Sequence, residues 1–478
     1  MLANRLRVNA LVALAMLNVC TLGAGVAVAA LLPARLDLWK IPRVAAAPVA
    51  APGEVLLPAL RSGPLPTSGG LSTALTPMLA SPALGSHVGV VVTDPVSGAV
   101  LWSSNGSSPA RPASTAKLAT AVAALAVLGP AARFTTSVVA GATAGSIVLV
   151  GGGDPTLAAG PPPASDFPQP ATLEALAAAT ARSLRARGRS QVQLSYDTSL
   201  FSGPPLAPGW TPSYISTGNV TGITSLEIDQ GRLTPAGTPE DAEDPDNFRP
   251  RSSTPAADAA GAFAAYLKAD GITVAGPVAD AAAAPGAATI AAVKSPPLSD
   301  MVGWMLRESN NVIAEDLARQ VALHTGAPAS FSGAAGAVTH VLAALGVSGS
   351  IALVDGSGLS PDDRVTPAAL TSLVALASGP AHPRLRSAIT GMPVAGFSGT
   401  LAPDQSVFGH FTEPALGVVQ AKTGNLDTVA AMAGLAYDKQ GQVLDFAFMA
   451  DEVSPASLPQ AAAEIDAMVT ALAGCGCR

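Results

Sequence analysis

Charge and aromatic rings are scarce in this chain. Of 478 residues only 12% are Asp, Glu, Lys or Arg and 4% are Phe, Trp or Tyr, against 49% apolar. The formal net charge of -7 argues against nucleic acid as a partner, and the one basic run beyond the first residues, 182–189, reads as a solvated helix end. Cysteine is rarer still. Cys20, Cys475 and Cys477 make no disulfide framework and no zinc ligand set, and a bridge across the single residue between the last two reads as strained. His87, His324, His340, His382 and His410 fall in no motif, and no Gly-x-Ser-x-Gly elbow is present, so a Ser-His-Asp hydrolase has little support. The acidic patch of Glu240, Asp241, Glu243, Asp244 and Asp246 alternates with Pro and Ala and reads as solvated surface. Neither a metal nor a cofactor is called for.

What is present begins with a leader. Arg5 and Arg7 precede an uncharged stretch, 8–32, broken only by Asn9, Asn18 and Thr21. Residues 1–34 therefore read as an export signal, cleaved near Ala27-Val28-Ala29, or as an uncleaved anchor with its N-terminus in the cytoplasm. Either way the body lies beyond the cytoplasmic membrane, held at its outer face if anchored and secreted or periplasmic if cleaved. Val19 is larger than the small residue expected before a lipid-bearing cysteine, which argues against attachment at Cys20. Residues 35–70, rich in Pro and Ala, read as an extended spacer.

The body opens with a short helix, 71–80, and a hairpin of strands, 88–92 and 99–102, closed by turn residues around Asp94 and Gly98. Then comes Pro112-Ala113-Ser114-Thr115-Ala116-Lys117, at the head of an apolar run. The proline predicts a helix start, with Ser114 in the first turn and Lys117 three residues on along the same face. A serine hydroxyl needs a base to become a nucleophile, and a neutral lysine is one. In water only about 0.04% of a lysine is neutral at pH 7, so burial or a second cation must lower its pKa. With six lysines in the chain, a lone Ser-x-x-Lys also arises readily by chance.

Residues 137–290 read as an inserted α/β region without assignable chemistry: strands at 134–140, 146–150, 191–196 and 272–274, helices at 172–187 and 256–267. Ala-rich stretches count for less as helix evidence, because the composition itself is biased. Pro297-Leu298-Ser299-Asp300 reads as a capped helix start, and Ser309-Asn310-Asn311 lies between that helix and a second one, 312–324. A strand, 417–421, runs into Lys422-Thr423-Gly424-Asn425. Strands 430–437 and 443–449 and a helix, 458–472, complete the chain. A chance Lys-Thr-Gly is expected about once in twenty-five chains of this composition, which makes it the most specific of the three motifs.

Ser-x-x-Lys, Ser-x-Asn and Lys-Thr-Gly in this order form the set found in β-lactamases and penicillin-binding proteins. The parts solve one problem. Lys422 supplies the second cation that pushes Lys117 toward neutrality, and can pair with a substrate carboxylate. Ser309 relays a proton to a leaving amine, Asn311 holds a substrate peptide group, Thr423 holds the terminal carboxylate, and Gly424 permits close backbone approach. The backbone N–H groups of Ser114 and Asn425 form the oxyanion hole.

The chain resembles the class C penicillin-binding proteins, the serine D-alanyl-D-alanine carboxypeptidase/endopeptidase family, across nearly all of residues 70–473. The resemblance extends to Gly151-Gly152-Gly153-Asp154-Pro155-Thr156-Leu157, Pro208-Gly209-Trp210, Ser295-Pro296-Pro297-Leu298, Ala314-Glu315, Asp355-Gly356-Ser357-Gly358-Leu359-Ser360 and Gly399-Thr400-Leu401. It implies an α/β (α+β) penicillin-recognising, transpeptidase-like/β-lactamase-like domain at 71–136 and 291–473. That domain would be a five-stranded antiparallel sheet flanked by helices, interrupted by an inserted α/β domain at 137–290. It further implies peptidoglycan stem peptides as substrates and β-lactams as covalent inhibitors that acylate Ser114. Two departures stand out: the 191 residues between Lys117 and Ser309 are fewer than the fullest family members carry, and Asn425 replaces the family's common threonine. A β-lactamase and a non-catalytic cell-wall-binding protein are the alternatives on the same fold.

Overall fold

The computed structural model describes residues 64–164, 167–233, 249–403 and 407–477. The leader, most of the spacer, Cys20 and the acidic patch lie outside them. Among the described residues no helix is long and apolar enough to cross a membrane.

Helix α1 (Ser68–Leu79) starts within the expected spacer, because Thr67 accepts a hydrogen bond from Gly70 N and caps it. Strands β1 (Val88–Thr93) and β2 (Val100–Ser104) follow, then a 3₁₀ turn, Ala113–Ala116, and helix α2 (Lys117–Leu128). The inserted region supplies β3 (Thr135–Ala140), β4 (Ser146–Val150), α3 (Leu173–Ala186), β5 (Gln191–Asp197), α4 (Pro255–Ala269), β6 (Thr273–Val274), β7 (Ala279–Asp280) and β8 (Thr289–Lys294). After it come α5 (Leu298–Arg307), α6 (Asn311–Thr325), α7 (Phe331–Ala344), the short pair β9 (Ile351–Ala352) and β10 (Arg364–Val365), and α8 (Pro367–Ser378). Strands β11 (Val419–Leu426), β12 (Val429–Tyr437) and β13 (Val443–Ala450) precede the closing helix α9 (Leu458–Ala473).

The main sheet runs β11-β12-β13-β1-β2, antiparallel throughout. Its strands β12 and β13 are buried along nearly their whole length, because helices cover both faces. On one side Leu118, Leu125, Leu306, Ile313, Leu317, Val338 and Leu370 build a core from α2, α5, α6, α7 and α8. On the other, Leu71, Leu75, Ile465, Met468 and Leu472 bring in α1 and α9. Helix α2 is buried on every side from Lys117 to Leu125, so it is a central helix rather than an amphipathic one, and its alanines let neighbours close around it. The expected five-stranded antiparallel sheet flanked by helices is present.

The insert forms a second, mixed sheet, β6-β5-β4-β3-β8, with β7 also on β5. Its β4 and β5 are parallel, its β3 antiparallel to both neighbours, and α3 and α4 pack on it through Leu173, Leu176, Phe263 and Leu267.

Several expectations change. The strand expected at 417–421 instead spans Val419–Leu426, so Lys422-Thr423-Gly424 lies inside β11, paired with β12 through Leu426. Helix α5 has no side-chain cap: Pro297 holds the N-cap position and Ser299 Oγ donates to Asp300 Oδ1. Cys475 and Cys477 are bridged, their Cα atoms 5.0 Å apart. Cys477 O also accepts from Thr67 N at 2.9 Å, joining the chain just after α9 to the cap of α1.

Candidate active site

The sequence places Ser114 in the first turn of a helix, but the structure gives it a turn of its own. Ala113 has φ 46, a left-handed conformation that costs a non-glycine residue of order 1–3 kcal/mol. The 3₁₀ turn that follows carries Ser114, and α2 begins only at Lys117. Two glycines hold the strained turn by lying directly on it. A Cβ on Gly424 would sit 2.5 Å from Pro112 O, and one on Gly358 (φ +84) would sit 1.9 Å from Ala113 O. The backbone that Gly424 admits is thus that of the serine turn.

Lys117 Nζ lies 2.8 Å from Ser114 Oγ, 2.7 Å from Asn311 Oδ1 and 2.9 Å from Ser357 O. Asn311 Nδ2 donates to Asn219 O at 2.8 Å, which turns its Oδ1 toward the lysine. Two of the three neighbours are therefore pure acceptors. A neutral amine that gives its two hydrogens to them points its lone pair at the serine hydroxyl. Burial pushes the Lys117 pKa down from 10.5 to about 7, opposed by the charges of Asp355, Glu315 and Asp363. This corrects the expected role of Lys422: burial, not the second cation, is the principal cause at Lys117. The repulsion shows instead on Lys422, fully buried and held well below its ordinary value by burial and then by the Lys117 charge.

The loop at 355–360 carries the acceptor that the sequence did not reveal. Glu315 Oε1 accepts from Ser357 N and Gly356 N, Asp355 accepts from Gly358 N, Ser360 N and Trp210 Nε1, and Thr120 Oγ1 donates to Gly356 O. Two buried carboxylates thus fix the peptide whose carbonyl faces Lys117. Glu315 is itself raised to about 7, first by burial and then by Asp355.

Lys422 Nζ donates to Thr423 O at 2.8 Å, and Thr423 Oγ1 is 2.8 Å from Thr400 Oγ1. β11 is the sheet's edge strand; Ala421 N points outward to Pro393 O. Alternation along the strand turns Asn425 N–H to that same edge. Ser309 is half-buried with φ 55 at the junction of α5 and α6. His87, which falls in no sequence motif, bridges Asp451 and Ser108. Ser108 N is spent on Asn105 O and the next residue is Pro109, so neither of these two positions offers this Ser-His-Asp chain an oxyanion donor. The chain ties the segment before the serine turn to the end of β13.

The model of the D-Ala-D-Ala carboxypeptidase 3 (S13) family matches residues 71–249 and 236–472. The chain is 39% identical to carboxypeptidase DacB of Mycolicibacterium smegmatis over 90% of each chain. It is 38% identical to carboxypeptidase Rv3627c of Mycobacterium tuberculosis over 88% of this chain and 87% of that one. The crystal structure of penicillin binding protein 4 (dacB) from Haemophilus influenzae superposes with a TM-score of 0.66 at 23% identity, covering 84% of this chain and 98% of that one, a likeness of fold. Matched by the family model across residues 71–472 and by two relatives over 88% or more of its length, the chain belongs to the D-Ala-D-Ala carboxypeptidase 3 (S13) family.

Proposed function

We propose that the protein is a serine D-Ala-D-Ala carboxypeptidase/endopeptidase that cleaves peptidoglycan stem peptides in the cell envelope through an acyl-enzyme on Ser114. The observation that carries this reading is the 2.8 Å approach of Lys117 Nζ to Ser114 Oγ, made by an amine whose pKa is pushed to about 7. Neutral Lys117 takes the hydroxyl proton as Ser114 attacks the carbonyl of the penultimate D-alanine. The N–H groups of Ser114 and Asn425 receive the oxyanion, one at the head of the 3₁₀ turn and the other on the strand edge. Ser309 passes the proton to the departing amine, and water then hydrolyses the ester. Lys422 and Thr423 hold the substrate's terminal carboxylate and Asn311 its peptide group. A bound carboxylate favours the charged form of Lys422, which burial and the Lys117 charge otherwise disfavour.

The test is incubation with a peptide ending in D-Ala-D-Ala, with released D-alanine measured, and labelling with fluorescent penicillin followed by peptide mapping. Release of D-alanine and a label on Ser114, both absent in Ser114→Ala, are expected. Penicillin hydrolysed at many turnovers per second would make the protein a β-lactamase, and no D-alanine with no label would make it a binding protein.

A further inference from the structure

Among the described residues, the non-glycine positions with left-handed backbone are Asn105, Ala113, Asp229, Gln230 and Ser309. Such residues persist only where their surroundings over-determine them, and they gather at working sites. Ala113 and Ser309 flank the proposed chemistry, but Asp229 and Gln230 belong to the insert. A hydrogen bond ties Gln230 to the residue that follows Ser309. Asn310 Nδ2 donates to Gln230 Oε1 at 2.6 Å, while the same side chain's Oδ1 accepts from Ile313 N at 3.0 Å and caps α6. Both side chains are buried.

We infer that Gln230 is a positioning residue for the Ser309–Asn311 loop, acting through Asn310 from outside the motifs. The inference rests on Ser114 being the acylated nucleophile. Gln230 is held by the insert, not by the loop it serves. Its carbonyl accepts from Arg251 Nη1 at 3.0 Å, and the same guanidinium donates through Nε to Gly218 O at 3.0 Å. Gly218 precedes Asn219, whose carbonyl holds the Asn311 amide. One arginine thus braces both acceptors of the asparagine pair, Gln230 for Asn310 and Asn219 for Asn311. With Asn310 gripped, Ser309 stays in its left-handed conformation and Asn311 Oδ1 stays on Lys117. Gln230 touches neither the serine nor the lysine; it governs where the loop residues stand.

The test is the second-order rate of acylation by fluorescent penicillin, with kcat and KM on a D-Ala-D-Ala peptide, for the full chain. Gln230→Met keeps size and removes the acceptor; Asn310→Ser keeps a capping oxygen but falls short of Gln230; Gln230→Glu restores an acceptor. Each of the first two should slow acylation about tenfold and lower kcat with KM within about twofold. The double variant should be no slower than the slower single, and Gln230→Glu should recover most of the rate. Penalties that multiply in the double variant, or Gln230→Met acylating within about twofold of wild type, overturn the inference. If Gln230→Met fails to fold, Asn310→Ser alone decides: wild-type rates in that variant overturn it. A wild-type chain that takes no penicillin overturns the functional reading and this inference together, whereas a labelled wild type with an indifferent Gln230→Met sinks this inference alone.

Discussion

Acylation should switch on with a midpoint set by one buried amine. Because the Lys117 pKa is lowered from 10.5 to about 7, about half of the protein carries the neutral base at pH 7. About one-eleventh does at pH 6 and about 1% at pH 5. The second-order rate of penicillin acylation, followed by stopped flow from pH 5 to 10, should rise about tenfold per pH unit up to pH 7 and then level off. An ordinary lysine gives a rate that still climbs past pH 9, and a base other than Lys117 gives no break near 7; either profile refutes the reasoning. Lys117→Arg keeps donors but holds its proton, and should cost about a thousandfold in rate on the plateau above pH 7 and show no break near pH 7. The displaced pKa also has a signature in stability. Between pH 7 and 10.5 the unfolded chain binds the proton that the native lysine has lost, so stability rises with pH across that window. Below it the full penalty applies, about 5 kcal/mol, since each tenfold loss of proton affinity on folding is worth about 1.36 kcal/mol. In Lys117→Met the rise should flatten, as urea titrations at pH 6.5 and 10 would show.

Gly424→Ala places a Cβ 2.5 Å from Pro112 O, so it should part β11 from the serine turn and reduce penicillin labelling at least about tenfold, measured beside a Ser68→Ala control that labels like wild type. Trp210→Phe keeps the ring against Phe331 and deletes the bond to Asp355; a loss of about 1.5–3 kcal/mol in urea unfolding is expected. Asp466 is buried and its pKa is raised to about 7 by that burial, despite bonds from Gly409 N and His410 N. Its native pKa exceeds the unfolded one, so its penalty is absent below about pH 4 and complete above pH 7. Asp466→Asn keeps an acceptor and should raise the melting temperature at pH 8 but not at pH 4.

Much of the site was legible because its chemistry sits in short runs. Three-residue spacing brings Lys117 to Ser114 whether the turn is 3₁₀ or α, and Lys422 and Thr423 are read from adjacency. The rest is built from groups that residue types do not announce. Ser357 contributes a carbonyl, which every residue has; only its two carboxylate partners, Glu315 and Asp355, mark it, and they lie forty residues apart. Gln230 lies in a loop-rich stretch of the insert, and its backbone conformation leaves no compositional trace. The motifs point Lys422 toward Lys117, but burial is a property of the finished core and outweighs a charge that sequence can see. Helices α7 and α8 were missed for a simpler reason. Alanine is abundant throughout the chain, so an Ala-rich run carries little weight by itself, and packing against α2 and β13 is what distinguishes them.

The bond from Thr67 N to Cys477 O brings the two ends of the described body to a single corner. A polypeptide whose entry and exit coincide can be reconnected there and opened elsewhere without crossing its interior. Joined by a short bridge from 477 to 67 and cut at the exposed β1–β2 tip by Gly98, the rearranged chain keeps every strand pairing of the main sheet. It would leave the stretch from Ser114 to Lys422 uninterrupted, and offer a free terminus for immobilisation at a hairpin tip that contributes no motif residue.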